Sequence, residues 1–216
     1  MATRLIPTRR TFSEPESQSG VGVSPAQRPC VTTGRLRKAG STTVVLGIDP
    51  GLDRTGYAVV AMPNGAVTDA GLIRSNARAE LPARLAEIAA GLDEVLSECR
   101  PDLIAVEELF AHYKHPRTAI LMGHVRGVVL LAAARHGVRV LPLSATRIKK
   151  TLTGNGHAGK SQVQRAITTT LGLPRIPQPA DVADALAIAW CAGILEPPRP
   201  VSIDRRGSAV RKGVAR

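Results

Sequence analysis

The sequence predicts an α/β fold: a mixed five-stranded sheet, three antiparallel strands followed by α-β-α-β, flanked by helices. Three observations lead there. Short apolar runs of strand length alternate with longer segments of helical periodicity. The first three runs follow one another across links too short for a crossover, so they must pair as a meander. The last two runs are each preceded by a helix-length segment, the pattern of parallel strands joined by crossovers.

Each element has its own signal. Val44 to Ile48 is a largely apolar run, fit for a strand buried on both faces. Thr55 to Ala61 follows within a few residues, and Ala66 to Ile73 comes after a Pro63-Asn64-Gly65 turn. Leu81, Leu85, Ile88, Leu92, Val95, Leu96 and Cys99 then recur at helical spacing. Leu103 to Val106 reads as a buried strand. Ala119 to His136 reads as a mostly apolar helix whose Gly123 and Gly127 suggest close packing. Val138 to Leu143 is the fifth strand, and Ser144 is placed to cap a short helix ending at Lys150. Beyond a loop from Gly154 to Gly159 come helices over Ser161 to Leu171 and Asp181 to Ile194.

A chain of 216 residues with 44% hydrophobic content can bury one ordinary core. No apolar run reaches the roughly 18 residues that span a bilayer. The start lacks the apolar core of a secretory signal. Cys30, Cys99 and Cys191 are far apart and form no CxxC pair, so neither a zinc site nor a disulfide framework is signalled, and a cytoplasmic setting follows.

The net charge of +12 is unevenly spread. Residues 1–41 carry seven basic and two acidic side chains, and residues 197–216 carry six and one. Residues 42–196 keep sixteen against fourteen, a net of only +2. Both ends are also rich in Pro, Gly, Ser and Arg without periodicity. The expected organisation is a disordered basic extension over 1–41, a folded domain over 42–196 and a basic flexible tail over 197–216. Basic tails suit a polyanion such as DNA, because each neutralised phosphate releases counterions; solubilisation is the plainer alternative.

Two carboxylates stand where a core should be apolar. Asp49 ends the first strand, in VVLGIDPG, and Glu107 ends the fourth, in LIAVEELF. Side chains at strand ends of such sheets face a crevice where sites assemble. Asp181 and Asp184 lie three apart at the start of the last helix, on one face. Four gathered carboxylates repel one another, by about 4 kcal/mol for a pair 4 Å apart at an effective dielectric near 20. They therefore need raised pKa values or a cation. With oxygen donors only, the preferred ion is Mg²⁺ or Mn²⁺. Two such ions can activate a water and stabilise the departing oxygen of a phosphodiester. Taken singly the acids are weaker signals: Asp49 could be a turn residue and Asp181 only a helix cap.

The stretches GIDPGLDRTGYAVV, AVEELF, RGVVLLAAA, KKTLTGNGHAGKSQVQ and PADVADALAIA, in this order, resemble the RuvC family of crossover-junction endonucleases across roughly residues 44–195. The resemblance implies a ribonuclease-H-like fold and a homodimer bound to a four-way DNA junction. It implies symmetric Mg²⁺-dependent nicking of two strands, with 5′-phosphate and 3′-hydroxyl ends, in recombination and repair beside the RuvA–RuvB branch-migration complex. The family's four metal-binding acids fall on Asp49, Glu107, Asp181 and Asp184. The expected centre holds two Mg²⁺ per subunit, with Mn²⁺ able to substitute. Asp49 is expected to bridge them, Glu107 and Asp184 to hold one and Asp181 to help hold the other. Phe110 matches an aromatic that meets unstacked bases, and Lys149 and Lys160 match lysines near the scissile phosphate.

The segment AHYKHPRTA, from Ala111 to Ala119, departs from the family pattern. Its Tyr113, Lys114 and Arg117 are candidate DNA contacts, and His112 and His115 read better as loop or DNA-facing residues than as metal ligands. The helix over Ala119 to His136 is the expected subunit contact. Competing readings are a non-catalytic junction binder, an actin-like ATPase and a nuclease of RNA–DNA hybrids. An unused acidic cluster would only cost stability, which disfavours the first. The chain is short for the second, and Phe110 favours junctions over the third.

Overall fold

The computed structural model describes residues 42–109 and 116–196. The two basic tails, Phe110 and the segment from Ala111 to His115, including Tyr113 and Lys114, lie outside the described residues. The elements run β1 (Thr43–Asp49), β2 (Arg54–Met62), β3 (Ala66–Arg74), α1 (Leu81–Cys99), β4 (Leu103–Glu107), α2 (Pro116–Arg135), β5 (Arg139–Leu143), α3 (Ala145–Thr153), α4 (Lys160–Thr170) and α5 (Ala180–Leu195). The strands form one sheet in the order β3-β2-β1-β4-β5. β1, β2 and β3 pair antiparallel, while β4 and β5 lie parallel to β1.

The period-2 alternation of the strands sorts the core into two layers. On β1, Val45 joins the cluster under α3, α4 and α5, while Leu46 and Ile48 join the cluster under α1 and α2. β4 divides the same way, with Leu103 and Ala105 towards α5 and Ile104 on the opposite face. By the same alternation Asp49 and Glu107, the last residues of their strands, belong to the α5 face. Cys99 and Cys191 are free thiols on opposite sides of the sheet.

α5 is apolar nearly all round, with Val182, Leu186 and Ile188 among its buried residues, as befits a helix enclosed by a sheet and two further helices. Two glycines seat it. A Cβ on Gly47 would lie 2.2 Å from the Ala185 carbonyl oxygen and 2.5 Å from the Ala189 nitrogen. A Cβ on Gly56 would lie 2.2 Å from the Asp181 carbonyl oxygen. Only a bare backbone at both positions admits the helix axis this close to the strands.

Three expectations need correction or refinement. Ser144 does cap α3, accepting from the Arg147 N–H, but the helix continues to Thr153, where Gly154 closes it at φ +75°. Gly123 and Gly127 of α2 mark no close packing among the described residues, where a Cβ at either would meet nothing within 4 Å. Finally, the segment Arg117–Arg135 is long and apolar enough to cross a membrane, with mean hydropathy 1.3. Counting uninterrupted apolar residues missed this, since His124 and Arg126 break the run but not the average. The helix nonetheless packs Val125, Val129, Ala132 and Ala133 against the α1 side of the core, and Arg126 makes a bond to β4.

Candidate active site

The β1–β2 connection puts Asp49 at the mouth of a tight turn. Gly51 allows it, as a Cβ there would lie 2.3 Å from the Arg54 carbonyl oxygen. The buried Thr55 hydroxyl closes the turn by donating to the Gly51 carbonyl at 2.8 Å. Arg84 of α1 pins it from outside, pairing with Asp53 and donating to Ser75 Oγ at 3.1 Å, while Ser75 donates to the Leu52 carbonyl at 2.5 Å. Across the β1–β2 ladder, Asp49 is opposite Gly56, the residue on which the first turn of α5 rests. One contact thus fixes Asp181 beside Asp49. Asp181 lies inside the first turn of α5 rather than at its cap, which is Pro179. A capping role does not account for it.

Electrostatics show that the four carboxylates converge. Asp49 has its pKa pushed from 3.8 up to about 7, first by burial, then by the charges of Asp184, Glu107 and Asp181, against which Lys160 acts in the opposite sense. Glu107 is raised too, by burial and by Asp184, with Lys149 and Lys160 lowering it. One Asp181 oxygen, Oδ2, is buried without a hydrogen bond. A buried carboxylate oxygen in that condition is costly unless a cation takes it.

Two protein cations already stand among these acids. Lys160 Nζ lies 2.8 Å from Asp184 Oδ2, and the bond holds the ammonium in its charged form. Arg54 Nε lies 3.5 Å from Asp181 Oδ2, too poorly aligned for a hydrogen bond. Among the described residues, no three acidic, histidine or cysteine side chains are spaced to grip an ion as they stand. The fit to a divalent ion rests on the oxygen-only donor set, the Asp181 oxygen that has an ion pair but no hydrogen bond, and the mutual repulsion at Asp49. It requires Asp184 and Asp181 to exchange an ammonium and a guanidinium for the ion.

Of the other sequence candidates, the structure brings Lys149 and Lys160 close enough to act on Glu107. Lys160 opens α4, and its helix start is fixed by Gln162, whose side chain accepts from the Gly159 N–H at 2.9 Å. Arg117 is exposed in the first turn of α2. Sequence reasoning missed Arg54 and Arg126. Arg126 Nη1 donates to the Glu107 carbonyl at 2.6 Å. Its signal was a lone cation in the apolar run AILMGHVRGVVLLAAA; that of Arg54 was a cation two residues past the Asp-Pro-Gly-Leu turn.

A sheet with three antiparallel and two parallel strands, carboxylates at the ends of the adjacent strands β1 and β4 and a pair of aspartates opening the last helix place the chain in the ribonuclease-H-like class of folds. The family model for crossover junction endodeoxyribonuclease RuvC matches residues 45–192. A RuvC from Rhodopirellula baltica is 52% identical over 160 residues, covering 73% of this chain and 90% of its own length. The Thermus thermophilus RuvC structure superposes with a TM-score of 0.65 at 35% identity, covering 70% of this chain and 93% of that one. T. thermophilus RuvC in complex with a Holliday junction substrate gives 0.66 at 36% identity, with 71% and 94% covered. The chain belongs to the RuvC family of crossover junction endodeoxyribonucleases.

Proposed function

We propose that this protein resolves Holliday junctions by symmetric, Mg²⁺-dependent nicking of two DNA strands, leaving 5′-phosphate and 3′-hydroxyl ends, in recombination and repair. The observation that carries the reading is the convergence of Glu107, Asp181 and Asp184 on the partly buried Asp49, whose pKa they help raise to about 7. Asp49, Glu107, Asp181 and Asp184 would hold the metal. Two Mg²⁺ ions bound there, or Mn²⁺ in their place, would activate a water and stabilise the departing oxygen.

The chain's own residues supply the rest. Lys160 and Lys149, cations beside the carboxylates, offset charge that builds on the scissile phosphate. Phe110 stacks on an unpaired base at the branch point, a contact worth about 1–3 kcal/mol, and Tyr113 and Arg117 extend the DNA surface. The basic tails add sequence-independent attraction to phosphate.

The substrate is two-fold symmetric, so paired incisions call for two active sites related by a dyad. The exposed side of α2 supports a homodimer: Ile120 is 61% and Leu131 54% exposed, and the open Gly123 and Gly127 allow a second helix to approach closely. The resemblance to RuvC supports work beside a RuvA–RuvB complex in the cytoplasm.

The deciding experiment is digestion of a synthetic four-way junction in Mg²⁺, beside matched linear duplex and RNA–DNA hybrid. Paired nicks near the branch point, absent with Asp49→Asn, are expected. Equal cutting of the linear duplex or the hybrid would overturn the substrate assignment, and full cutting by Asp49→Asn would overturn the site.

A further inference from the structure

On its β1 side the last carbonyl of β4 has no strand donor, and the sequence explains why. Alternate residues of a parallel strand turn their N–H and C=O groups to opposite neighbours. The Glu108 N–H donates to the Leu143 carbonyl at 2.8 Å, towards β5. The backbone groups of Glu107 therefore face β1. The register there, Gly47 with Ala105 and Ile48 with Val106, makes residue 50 the next donor to the Glu107 carbonyl. Residue 50 is proline and has no N–H. The turn that exposes Asp49 thus deprives Glu107 of its ladder bond. Arg126, from the middle of α2, takes the place: its Nη1 donates to this carbonyl at 2.6 Å in a half-buried setting.

We propose that Arg126 is a positioning residue for Glu107, supplying the backbone donor that Pro50 cannot and fixing the end of β4 so that the Glu107 carboxylate keeps its aim into the site. The charge of Arg126 is not what matters at the carboxylate, where the cations that act are Lys149 and Lys160. Its action is on the main chain, one residue's length from the functional oxygens. A side chain carried on a strand end with an unsatisfied carbonyl is free to swing, and partners one step removed from a metal commonly change its affinity by roughly 10–100-fold. The proposal rests on the reading of Glu107 as a metal ligand.

The test is Mn²⁺ titration by calorimetry on the full-length chain and its variants, with thermal unfolding alongside. Arg126→Met keeps the apolar stem and removes the donors. It is expected to bind Mn²⁺ roughly tenfold more weakly while junction affinity in EDTA stays within twofold. Adding Pro50→Ala restores an N–H at the position the ladder lacks, and is expected to recover part of the lost affinity. A purely structural role would lower the unfolding temperature but leave Mn²⁺ affinity of the folded protein unchanged; that result, with Arg126→Met within twofold of the parent, overturns the proposal. Should Arg126→Met not fold by circular dichroism, Arg126→Gln decides. Its amide is two bonds shorter than the guanidinium and stops short of the Glu107 carbonyl, so roughly threefold weaker binding is expected and parental affinity overturns. A parent chain that binds no more Mn²⁺ than Asp49→Asn would instead refute the metal reading itself.

Discussion

Replacing Asp49 by Asn should stabilise the metal-free protein at alkaline pH and do nothing for it in acid. In the folded chain the Asp49 pKa stands at about 7, against an ordinary 3.8, because burial and three neighbouring carboxylates oppose its ionisation. A folded-state value above the unfolded one contributes stability that is fully present below about pH 4. That stability is lost as pH rises through about 7. At 1.36 kcal/mol per pKa unit, the interval from 3.8 to about 7 amounts to about 4 kcal/mol by pH 8. This is a large share of the 5–15 kcal/mol that typically separates folded from unfolded domains. The amide of Asn has nearly the same shape and no charge, so it escapes the loss. Urea unfolding in EDTA at pH 5 and pH 8 measures it. Asp49→Asn should unfold at clearly higher urea than the parent at pH 8, by up to about 4 kcal/mol, and by less than half of that at pH 5, where the unfolded carboxyl has already ionised but the folded one has not. Saturating Mg²⁺ should reverse the order at pH 8, because only the parent gains from the ion. A parent as stable as Asp49→Asn at pH 8 without metal would refute the reasoning, since the carboxylates would then not be crowded.

Other perturbations probe other parts of the site. Gly56→Ala places a Cβ against the Asp181 carbonyl, so α5 must shift; a stability loss of about 1–3 kcal/mol and disappearance of the Mg²⁺-induced rise in Tm are expected in thermal melts. Arg54→Ala removes a cation that competes for Asp181. As Arg54 is half-exposed its pair is worth at most about 1 kcal/mol, and Mn²⁺ affinity should rise by roughly fivefold at most; a fall would show that Arg54 instead helps hold the site open. If the proposed dimer forms through α2, Leu131→Asp, at a position exposed in the single chain, should convert it to a monomer in sedimentation velocity; unchanged sedimentation of a dimeric parent would remove α2 from the subunit contact.

What could be read from the sequence was what depends on local pattern. The strands announced themselves by length and apolar content, and the antiparallel pairing of the first three followed from link lengths. Asp49 and Glu107 stood out because each ends an apolar run, and Asp181 with Asp184 because three residues is one helical turn. Features that depend on distant partners were harder to read. Arg54 matters because its guanidinium reaches Asp181 across the fold, and Arg126 because its acceptor is a backbone carbonyl that carries no sequence signature. The missing hydrogen bond was nonetheless implicit once register was known, since Pro50 follows Asp49 directly. Gly123 and Gly127 meet no neighbour among the described residues of this chain, and a glycine in an apolar helix looks the same in sequence whether it meets a neighbour or open space.

Gathering four negative groups before any ion arrives requires something to outweigh their repulsion, and α5 supplies it. Its buried Val182, Leu186 and Ile188 each contribute about 1.5–3 kcal/mol on leaving water, roughly 5–9 kcal/mol together. That exceeds the roughly 4 kcal/mol set against Asp49, even allowing for a partly collapsed unfolded chain. Lys160 and Arg54 offset part of the remainder from within the site. The helix therefore stays seated without metal, and the carboxylates wait in place as a consequence of core packing and of two glycines that let the backbone come close. An ion held by these carboxylates would replace an ammonium and a guanidinium instead of folding the chain around itself. Amide exchange in β1, β4 and α5 should accordingly be slow in EDTA already, and Mg²⁺ should slow it further only at the rim, near Lys160 and Arg54.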